Sequence, residues 1–482
     1  MPCARVPAGA AGGDSRGRRT EGTTRTSKRR RAEGVRWVTF SAGRPRYRRP
    51  PPASHVRAHP ARTPRGGPPK EAAAREDVGP AAGDPGGRTD RGVNVTVDST
   101  AGVPKKASGT RRKRVPSRAG SVAPPPQPEL VQLLTPEGER VEHPDFSLET
   151  TPEELRAIYR DLVLVRRFDG EATALQRQGE LGLWASLLGQ EAAQVGSGRA
   201  MRPGDYAFPT YREHGVAWCK GVDPLNLLGM FRGVNHGGWD PNEKNFHLYT
   251  IVIGSQTLHA TGYAMGITKD GADDAVIAYF GDGASSQGDV NEAFTFASVY
   301  NAPVVFFCQN NQWAISEPTE KQSRVPIYRR ASGFGFPGVR VDGNDVLACL
   351  AVTRWALDHA RSGNGPVLVE AFTYRMGAHT TSDDPSRYRM SEELEAWKLK
   401  DPIERLRAHL VREGWADQEF LDSVEAESEQ LARRVREGVR TMPDPSPAAI
   451  FEHVYADGHA LVDEERAQYE AYAASFEGGE VR

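Results

Sequence analysis

The sequence predicts an α/β fold, in which helices cover both faces of a parallel β-sheet. Two short apolar runs, at 275–280 and 303–308, are each typical of a buried strand, and each stops abruptly at glycine or polar residues. Between the two runs, apolar residues recur at helical spacing: Val290, Ala293, Phe294 and Ala297. Strands that alternate with helices favour a parallel sheet that is buried on both faces.

Further elements are predicted on either side of this unit. Apolar runs predict strands at 339–343 and 366–371. A helix is predicted to begin at Thr151 and Pro152, because Thr followed by Glu154 matches a capping box and Pro suits the first helical position. The apolar spacing that follows predicts roughly three to four turns of helix. The residues with this spacing are Leu155, Ile158, Tyr159, Leu162 and Val165.

The composition of the chain changes near residue 130. Of the 62 Lys and Arg residues, 28 lie in residues 1–130, where only 10 of the 63 Asp and Glu residues lie. This part is rich in Arg, Pro and Gly, and it has too few large apolar residues to offset the conformational entropy of folding. We therefore predict a disordered basic extension over 1–128. One globular domain with C-terminal helices follows over 129–482.

Composition also narrows the classes of function. No apolar run approaches the length of about 20 residues that spans a membrane. The four cysteines have no paired spacing, so we expect neither a disulfide framework nor a zinc site, and we expect a reducing cytoplasm. The basic extension raises a hypothesis of a different class, that the chain binds nucleic acid. A solvated extension without a specific partner is the favoured interpretation.

Polar residues follow the two central predicted strands. Asp282 lies between two glycines at the end of the first strand, and Asn311 follows the second. Parallel strands joined by a crossover helix bring their carboxyl ends to one edge of the sheet, where such folds bind ligands. Carboxylate and amide oxygens suit magnesium, and glycines let the backbone approach a diphosphate closely. The pattern thus predicts a site for a magnesium-bound diphosphate.

The segment GDGASSQGDVNEAFTFASVYNAPVVFFCQNNQWAIS resembles the thiamin diphosphate signature of alpha subunits of two-chain 2-oxo acid dehydrogenases. The similarity extends from roughly Leu130 to about Leu410. It implies a thiamin diphosphate-binding fold with thiamin diphosphate and magnesium as cofactors. The implied reaction is oxidative decarboxylation of a 2-oxo acid, with transfer of the acyl group to the lipoyl arm of an acyltransferase component.

The resemblance assigns metal and diphosphate contacts residue by residue. Asp282 and Asn311 match the side-chain ligands of magnesium. Trp313 lies where a backbone carbonyl completes the ligation, although the family commonly has Tyr there. Gly283 and Ala284 match the turn that contacts the diphosphate.

Two other segments match cofactor-binding elements of the family. Tyr211 and Arg212 match a Tyr-Arg pair that holds the diphosphate, a role that suits the forked guanidinium. The segment that contains Ile251 and Ile253 resembles the one that props the cofactor into its bent conformation, with Ile253 between the two rings.

Two histidines are candidate catalytic residues. The polar loop 374–385 resembles the active-site loop of the family, and His379 in it matches a histidine that acts in acyl transfer and contacts the cofactor. Thr380 lies where mitochondrial relatives carry a phosphorylated Ser. His214, close to the Tyr-Arg pair, has either a catalytic or a positional role.

The resemblance also implies a partner and a range of substrates. The carboxylate that polarises the pyrimidine of the cofactor belongs to a beta subunit in this family, so we expect an α2β2 heterotetramer. Pyruvate is the favoured substrate. Branched-chain acids such as 3-methyl-2-oxobutanoate are the alternative, and acetoin is a less favoured third. Ala185 replaces a His of mitochondrial pyruvate enzymes, but bacterial pyruvate enzymes lack that His too.

Overall fold

The computed structural model describes residues 130–476 of the 482-residue chain. The predicted disordered extension over 1–128 and the domain boundary that follows it lie outside the described residues. Within 130–476, no helix combines the length and the apolar character that crossing a bilayer requires.

Five parallel strands form the central sheet. The strands of the described region are β1 (Tyr206–Phe208), β2 (Val276–Gly281), β3 (Val304–Asn310), β4 (Trp313–Ala314), β5 (Glu317–Pro318), β6 (Gly338–Asp342) and β7 (Val367–Phe372). In space the sheet has the order β1-β2-β3-β7-β6, and each neighbouring pair is parallel. The short strands β4 and β5 pair with each other in an antiparallel ribbon.

Fourteen α-helices accompany these strands in the described part of the chain. They are α1 (Pro152–Arg177), α2 (Glu191–Ala200), α3 (His214–Cys219), α4 (Pro224–Arg232), α5 (Pro241–Lys244), α6 (Ser255–Asp270), α7 (Gly288–Val299), α8 (Thr319–Gln322), α9 (Arg330–Phe334), α10 (Val346–His359), α11 (Ser391–Lys398), α12 (Pro402–Arg412), α13 (Gln418–Arg440) and α14 (Ala460–Ala474). Short 3₁₀ turns follow β2 at Gly283–Ser286 and lie in the later loop at Pro385–Arg387.

Helices bury both faces of the sheet. Alternate residues of β2 and β3, such as Tyr279 and Phe307, pack in one apolar core with α1, α2, α10, α12 and α13. The intervening residues, such as Phe280 and Phe306, pack in a second core with α6, α7 and α9. Because successive side chains of a strand point to opposite faces, this division requires helices on each side. The predicted α/β fold class is confirmed.

Most predicted elements are present, with two differences. The structure confirms the strands near 275–280 and 303–308 and the helix between them. The predicted length of the first helix was wrong: α1 has 26 residues. It continues because Phe168, Ala172 and Leu175 prolong its buried face, and its start is capped as predicted, with Thr151 Oγ1 accepting the N–H of Glu154. The three-residue edge strand β1 was not predicted.

Candidate functional site

A cavity of about 420 Å³ opens at the carboxyl ends of β2 and β3. The turn after β1, the segment before α6, the turn after β2, the residues after β3 and the loop after β7 all contribute to its wall. Most of the residues predicted from the sequence line it: Tyr211, Arg212, Ile253, Asp282, Gly283, Ala284, Asn311, Trp313 and His379. Two predicted residues, Ile251 and His214, are not part of the lining.

Asp282 is a buried carboxylate in the lining of this cavity. Its Oδ2 accepts hydrogen bonds from Thr319 Oγ1 at 2.9 Å and from Gln322 Nε2 at 3.1 Å, and both donors are neutral. It forms no salt bridge with any Lys, Arg or His of residues 130–476. Burial raises the pKa of this carboxyl, and the two hydrogen bonds offset part of that effect. A buried carboxylate without a cationic partner is well suited to bind a cation.

Two further oxygens belong to residues that follow β3 and line the same cavity as Asp282. Asn311 Oδ1 accepts the N–H of Trp313 at 3.2 Å, and the amide of Asn311 donates to Gln190 Oε1 at 3.1 Å. The carbonyl of Trp313 accepts from Nη1 of Arg375 at 2.9 Å and keeps a second lone pair. Across the described residues, no group of three or more His, Cys, Asp or Glu side chains could hold a metal. The candidate site is therefore a mixed set of carboxylate, amide and carbonyl oxygens.

The turn after β2 approaches the ribbon β4–β5 closely. A Cβ added at Gly283 would lie 2.7 Å from Cβ of Ala314, so a larger residue would displace one of the two segments. A Cβ added at Gly281 would meet nothing within 4 Å, and Gly281 lines the cavity. Gly283 therefore permits the close contact with Ala314, and Gly281 leaves the adjoining part of the cavity open.

Two buried guanidinium groups face the same cavity without a carboxylate partner. Arg212 is 6% exposed and Arg375 is 0% exposed. Nη2 of Arg212 donates to the carbonyl of His379 at 2.8 Å, and Nη2 of Arg375 donates to the carbonyl of Ile315 at 2.7 Å. Neither forms a salt bridge with a carboxylate in the part of the chain that the structure describes. Buried cations whose hydrogen-bond partners are neutral, here carbonyls, a Tyr hydroxyl and a His ring, suit an anionic ligand.

His379 lies between these two arginines. Its Nδ1 is 3.3 Å from Nη2 of Arg212 and 3.4 Å from Nη1 of Arg375. Burial, and then the two guanidinium charges, lower the pKa of His379 to about 4. Because both neighbours are N–H donors, Nδ1 acts as an acceptor and the proton of the neutral ring resides on Nε2.

His214 is enclosed behind the site. Its ring stacks on Trp184 with the centroids 4.1 Å apart. Nε2 is 2.9 Å from the carbonyl of Ala185, and Nδ1 is 2.7 Å from Oη of Tyr249. Burial lowers the pKa of this histidine to about 3. Both ring nitrogens are occupied, which fixes the segment at 184–185. The other outlying residue, Ile251, is 62% exposed at the surface.

Several polar residues of the lining were not predicted from the sequence. They include Gln190, Glu213, Gln309, Gln322 and Arg375. One usable signal was Gln309, because a polar side chain that directly follows the apolar run of the buried strand β3 requires a buried partner. The others are isolated polar residues whose convergence depends on the tertiary fold.

Comparison with known proteins accounts for this arrangement. The model of a family described as the dehydrogenase E1 component matches residues 159–447. The chain belongs to the alpha subunits of the 2-oxo acid dehydrogenase E1 family. A 3-methyl-2-oxobutanoate dehydrogenase subunit alpha of Mycobacterium tuberculosis (strain ATCC 25618 / H37Rv) is 44% identical over 351 residues, which cover 72% of this chain and 95% of the relative.

Two pyruvate dehydrogenase relatives are also similar. The pyruvate dehydrogenase E1 component subunit alpha of Acholeplasma laidlawii is 38% identical over 68% of this chain and 94% of its own length. The corresponding subunit of Staphylococcus aureus (strain N315) is 37% identical over 71% of this chain and 92% of its own length.

The cavity of this E1 alpha chain suits the cofactor of its family, which depends on thiamin diphosphate. A diphosphate bound with a divalent cation presents both signs of charge. Among residues 130–476, Asp282 forms no salt bridge with a cation, and Arg212 and Arg375 form none with a carboxylate, although all three line one cavity. A bound diphosphate and its metal would provide a direct counter-charge for each of them.

Proposed function

We propose that this chain and a beta subunit form a thiamin diphosphate- and magnesium-dependent enzyme that decarboxylates a 2-oxo acid. The acyl group then passes to the lipoyl arm of an acyltransferase component. The observation that carries the proposal is the charge pattern of the cavity, where a buried carboxylate and two buried guanidinium groups form no salt bridge with any of residues 130–476.

Under this proposal the cavity would hold the metal and the diphosphate. The side chains of Asp282 and Asn311 and the carbonyl of Trp313 would bind magnesium, because they are hard oxygens that suit it. Arg212 and Tyr211 bind the diphosphate, together with the turn at Gly283 and Ala284. Ile253 supports the two rings, and Ile251 belongs to the same supporting segment. When bound, thiamin diphosphate supplies the electron sink for the loss of carbon dioxide.

His379 is the residue that we assign to acyl transfer. Its ring is neutral above a pH of about 4, and the proton resides on Nε2 because Nδ1 faces two guanidinium groups. The Nε2–H group is thus able to donate a hydrogen bond to a sulfur of the lipoyl group as that sulfur gains negative charge. His214 has both ring nitrogens engaged, so we assign it a positional role beneath the loop.

A beta subunit is needed to complete the active site. Asp282 and Glu213 are the carboxylates in the lining formed by the described residues, and both are engaged in other contacts. The lining therefore offers no further carboxylate to polarise the pyrimidine. Next to Ile253 of the lining, Ile251 and Val252 are 62% and 71% exposed, and we assign this apolar segment to contact with the beta subunit. These features support an α2β2 assembly with shared active sites.

The relatives bear on the choice of substrate. Pyruvate was the substrate favoured on sequence grounds. The relative named for 3-methyl-2-oxobutanoate is 44% identical, however, whereas the pyruvate dehydrogenase subunit of Acholeplasma laidlawii is 38% identical. We therefore place branched-chain 2-oxo acids first and pyruvate second.

A substrate comparison tests the proposal. The alpha and beta chains are co-expressed, supplied with thiamin diphosphate and Mg²⁺, and assayed for decarboxylation with an artificial electron acceptor. We expect kcat/KM for 3-methyl-2-oxobutanoate to exceed that for pyruvate by about tenfold or more, since apolar pockets discriminate on this scale. The opposite preference would exchange the two candidates. An assembled, cofactor-loaded enzyme inactive with both acids would contradict the proposed reaction and make acetoin the next substrate to assay.

A further inference from the structure

Glu213 is a buried carboxylate in the turn that carries Arg212. It lies in the cavity wall between β1 and α3. Its Oε2 accepts from Oγ1 of Thr210 at 2.6 Å and from the backbone N–H of Thr210 at 2.5 Å. Its Oε1 accepts from Nε2 of Gln309, near the end of β3, at 2.6 Å. One carboxylate therefore joins the turn to the central strand.

Two buried amides extend this connection back to the turn. Oε1 of Gln309 accepts from Nε2 of Gln194 on α2 at 3.1 Å. Nε2 of Gln194 also donates to the carbonyl of Arg212 at 3.0 Å, and its Oε1 accepts the N–H of Gly215 at 2.9 Å. A Cβ added at Gly215 would lie 2.9 Å from Cβ of Gln194, so a glycine permits this contact. The hydrogen bonds form a closed network around the backbone of Arg212.

The charge on Glu213 determines the orientation of both amides. Burial raises the pKa of this carboxyl, and the hydrogen bonds from Thr210 and the charge of Arg212 offset part of that rise. In its ionised form the carboxylate only accepts, so Gln309 must direct its NH₂ group toward Glu213 and its oxygen toward Gln194. Gln194 must then present its NH₂ group to Gln309 and to Arg212, which leaves its oxygen for Gly215. Buried networks in which every group is satisfied favour a single arrangement.

We propose that Glu213 is a positioning residue for the cofactor. Through Gln309 and Gln194 it fixes the backbone of the turn 210–215, and thereby the direction in which Arg212 presents its guanidinium to the diphosphate. This inference rests on the proposed function, because it assumes that Arg212 binds the diphosphate of thiamin diphosphate.

Three variants separate positioning from a merely structural role. In Glu213→Gln, the new amide NH₂ group at position 213 must face another hydrogen-bond donor, either that of Gln309 or those of Thr210. Gln309→Glu opposes two buried carboxylates. In the double variant E213Q/Q309E, the amide at position 213 donates to the carboxylate at position 309, which still accepts from Gln194. Every donor and acceptor in the network again has a partner, and the negative charge now lies at position 309 instead of position 213. Glu419→Gln, at an exposed position on α13, is the matched control.

The measurements are made on the assembled alpha–beta enzyme. Thiamin diphosphate affinity is measured by calorimetry with Mg²⁺, and the KM for the cofactor and kcat at saturating cofactor are measured by the decarboxylation assay. We expect Glu213→Gln to weaken cofactor binding about tenfold, the effect of one buried unsatisfied donor. With saturating cofactor, kcat should stay within about threefold of wild type, as expected for a loss of binding alone. Gln309→Glu should weaken cofactor binding more than Glu213→Gln does.

The double variant decides the outcome. Affinity restored to within about threefold of wild type supports the inference, since only complementary hydrogen bonding is recovered. This holds even if Glu213→Gln alone fails to fold. Unchanged affinity in Glu213→Gln, or a double variant no better than the single variants, would overturn it. Wild-type enzyme that binds no thiamin diphosphate would overturn the proposed function as well, which distinguishes the two failures.

Discussion

Arg212 and His379 are 167 positions apart in the chain, yet they are directly joined. Nη2 of Arg212 donates to the backbone carbonyl of His379 at 2.8 Å and lies 3.3 Å from its Nδ1. The arginine that we assign to the diphosphate therefore also holds the loop with the acyl-transfer histidine. Cofactor binding and loop order should accordingly change together.

Replacing Arg212 tests this connection. Arg212→Lys keeps the charge but loses the planar fork, so it cannot hold the loop carbonyl and two phosphate oxygens together. We expect affinity for thiamin diphosphate to fall by about 2 kcal/mol, typical of hydrogen bonds to charged groups. Limited proteolysis within 378–387 should accelerate in the same variant. Arg387→Lys, whose side chain is 83% exposed, is the control, and equal affinity in both variants would refute the connection.

The buried charge of Asp282 should lower the stability of the metal-free protein, and the same charge should enable the protein to bind Mg²⁺. Burial raises the pKa of its carboxyl, so the charged form is unfavourable in the metal-free chain. Asp282→Asn removes that charge, and we expect a gain of about 1 kcal/mol in the unfolding free energy of the metal-free protein. The response of cofactor affinity to Mg²⁺ should disappear. Denaturant unfolding and Mg²⁺ titrations check the two effects, and a destabilised variant that keeps its Mg²⁺ response would contradict both.

The ionisation of His379 should depend on the cofactor. Without an anion in the cavity, burial and the charges of Arg212 and Arg375 lower its pKa to about 4, so the ring is neutral at pH 6. A bound diphosphate offsets the two positive charges, and the pKa should rise toward its ordinary value. Carbon-13 NMR of labelled histidine, with His379→Gln to assign the signal, measures this shift. A pKa that the cofactor leaves unchanged would place the diphosphate away from the two arginines.

Two adjacent threonines provide a matched test of loop anchoring. Thr381 accepts the N–H of Trp184 on Oγ1 at 3.1 Å, and its own N–H donates to the carbonyl of Trp184 at 2.9 Å. Within residues 130–476, the hydroxyl of Thr380 forms a hydrogen bond only with that of Ser382, at 3.0 Å. We expect Thr381→Val to raise proteolytic cleavage of the loop several-fold, from a loss of about 1 kcal/mol, and Thr380→Val to have little effect. Equal cleavage of the two variants would argue against this anchor.

The proposed metal-binding part of the site was predictable because the carboxyl ends of parallel strands meet at one edge of the sheet. The apolar runs that became β2 and β3 locate their own carboxyl ends, so Asp282 and Asn311 could be brought together without coordinates. Arg375 and Glu213 were not identified. Their importance depends on which distant groups surround them, and no local pattern in the chain encodes that.

The length of α1 was also not predictable from local sequence, because distant residues determine it. Asp169 and Glu171 interrupt its apolar pattern, yet both are buried. Asp169 accepts from the indole of Trp184 at 2.8 Å, and Glu171 accepts from Arg436 at 2.8 Å. Because distant partners satisfy these carboxylates, the buried face continues through positions that sequence periodicity assigns to solvent.

The most direct test of the central claim is calorimetric titration of the assembled alpha–beta enzyme with thiamin diphosphate, with and without Mg²⁺. We predict saturable binding with one cofactor per alpha chain that requires Mg²⁺ and is lost in Asp282→Asn. Binding that is indifferent to both Mg²⁺ and this substitution would show that the carboxylate at the end of β2 does not hold the metal, and would contradict the account.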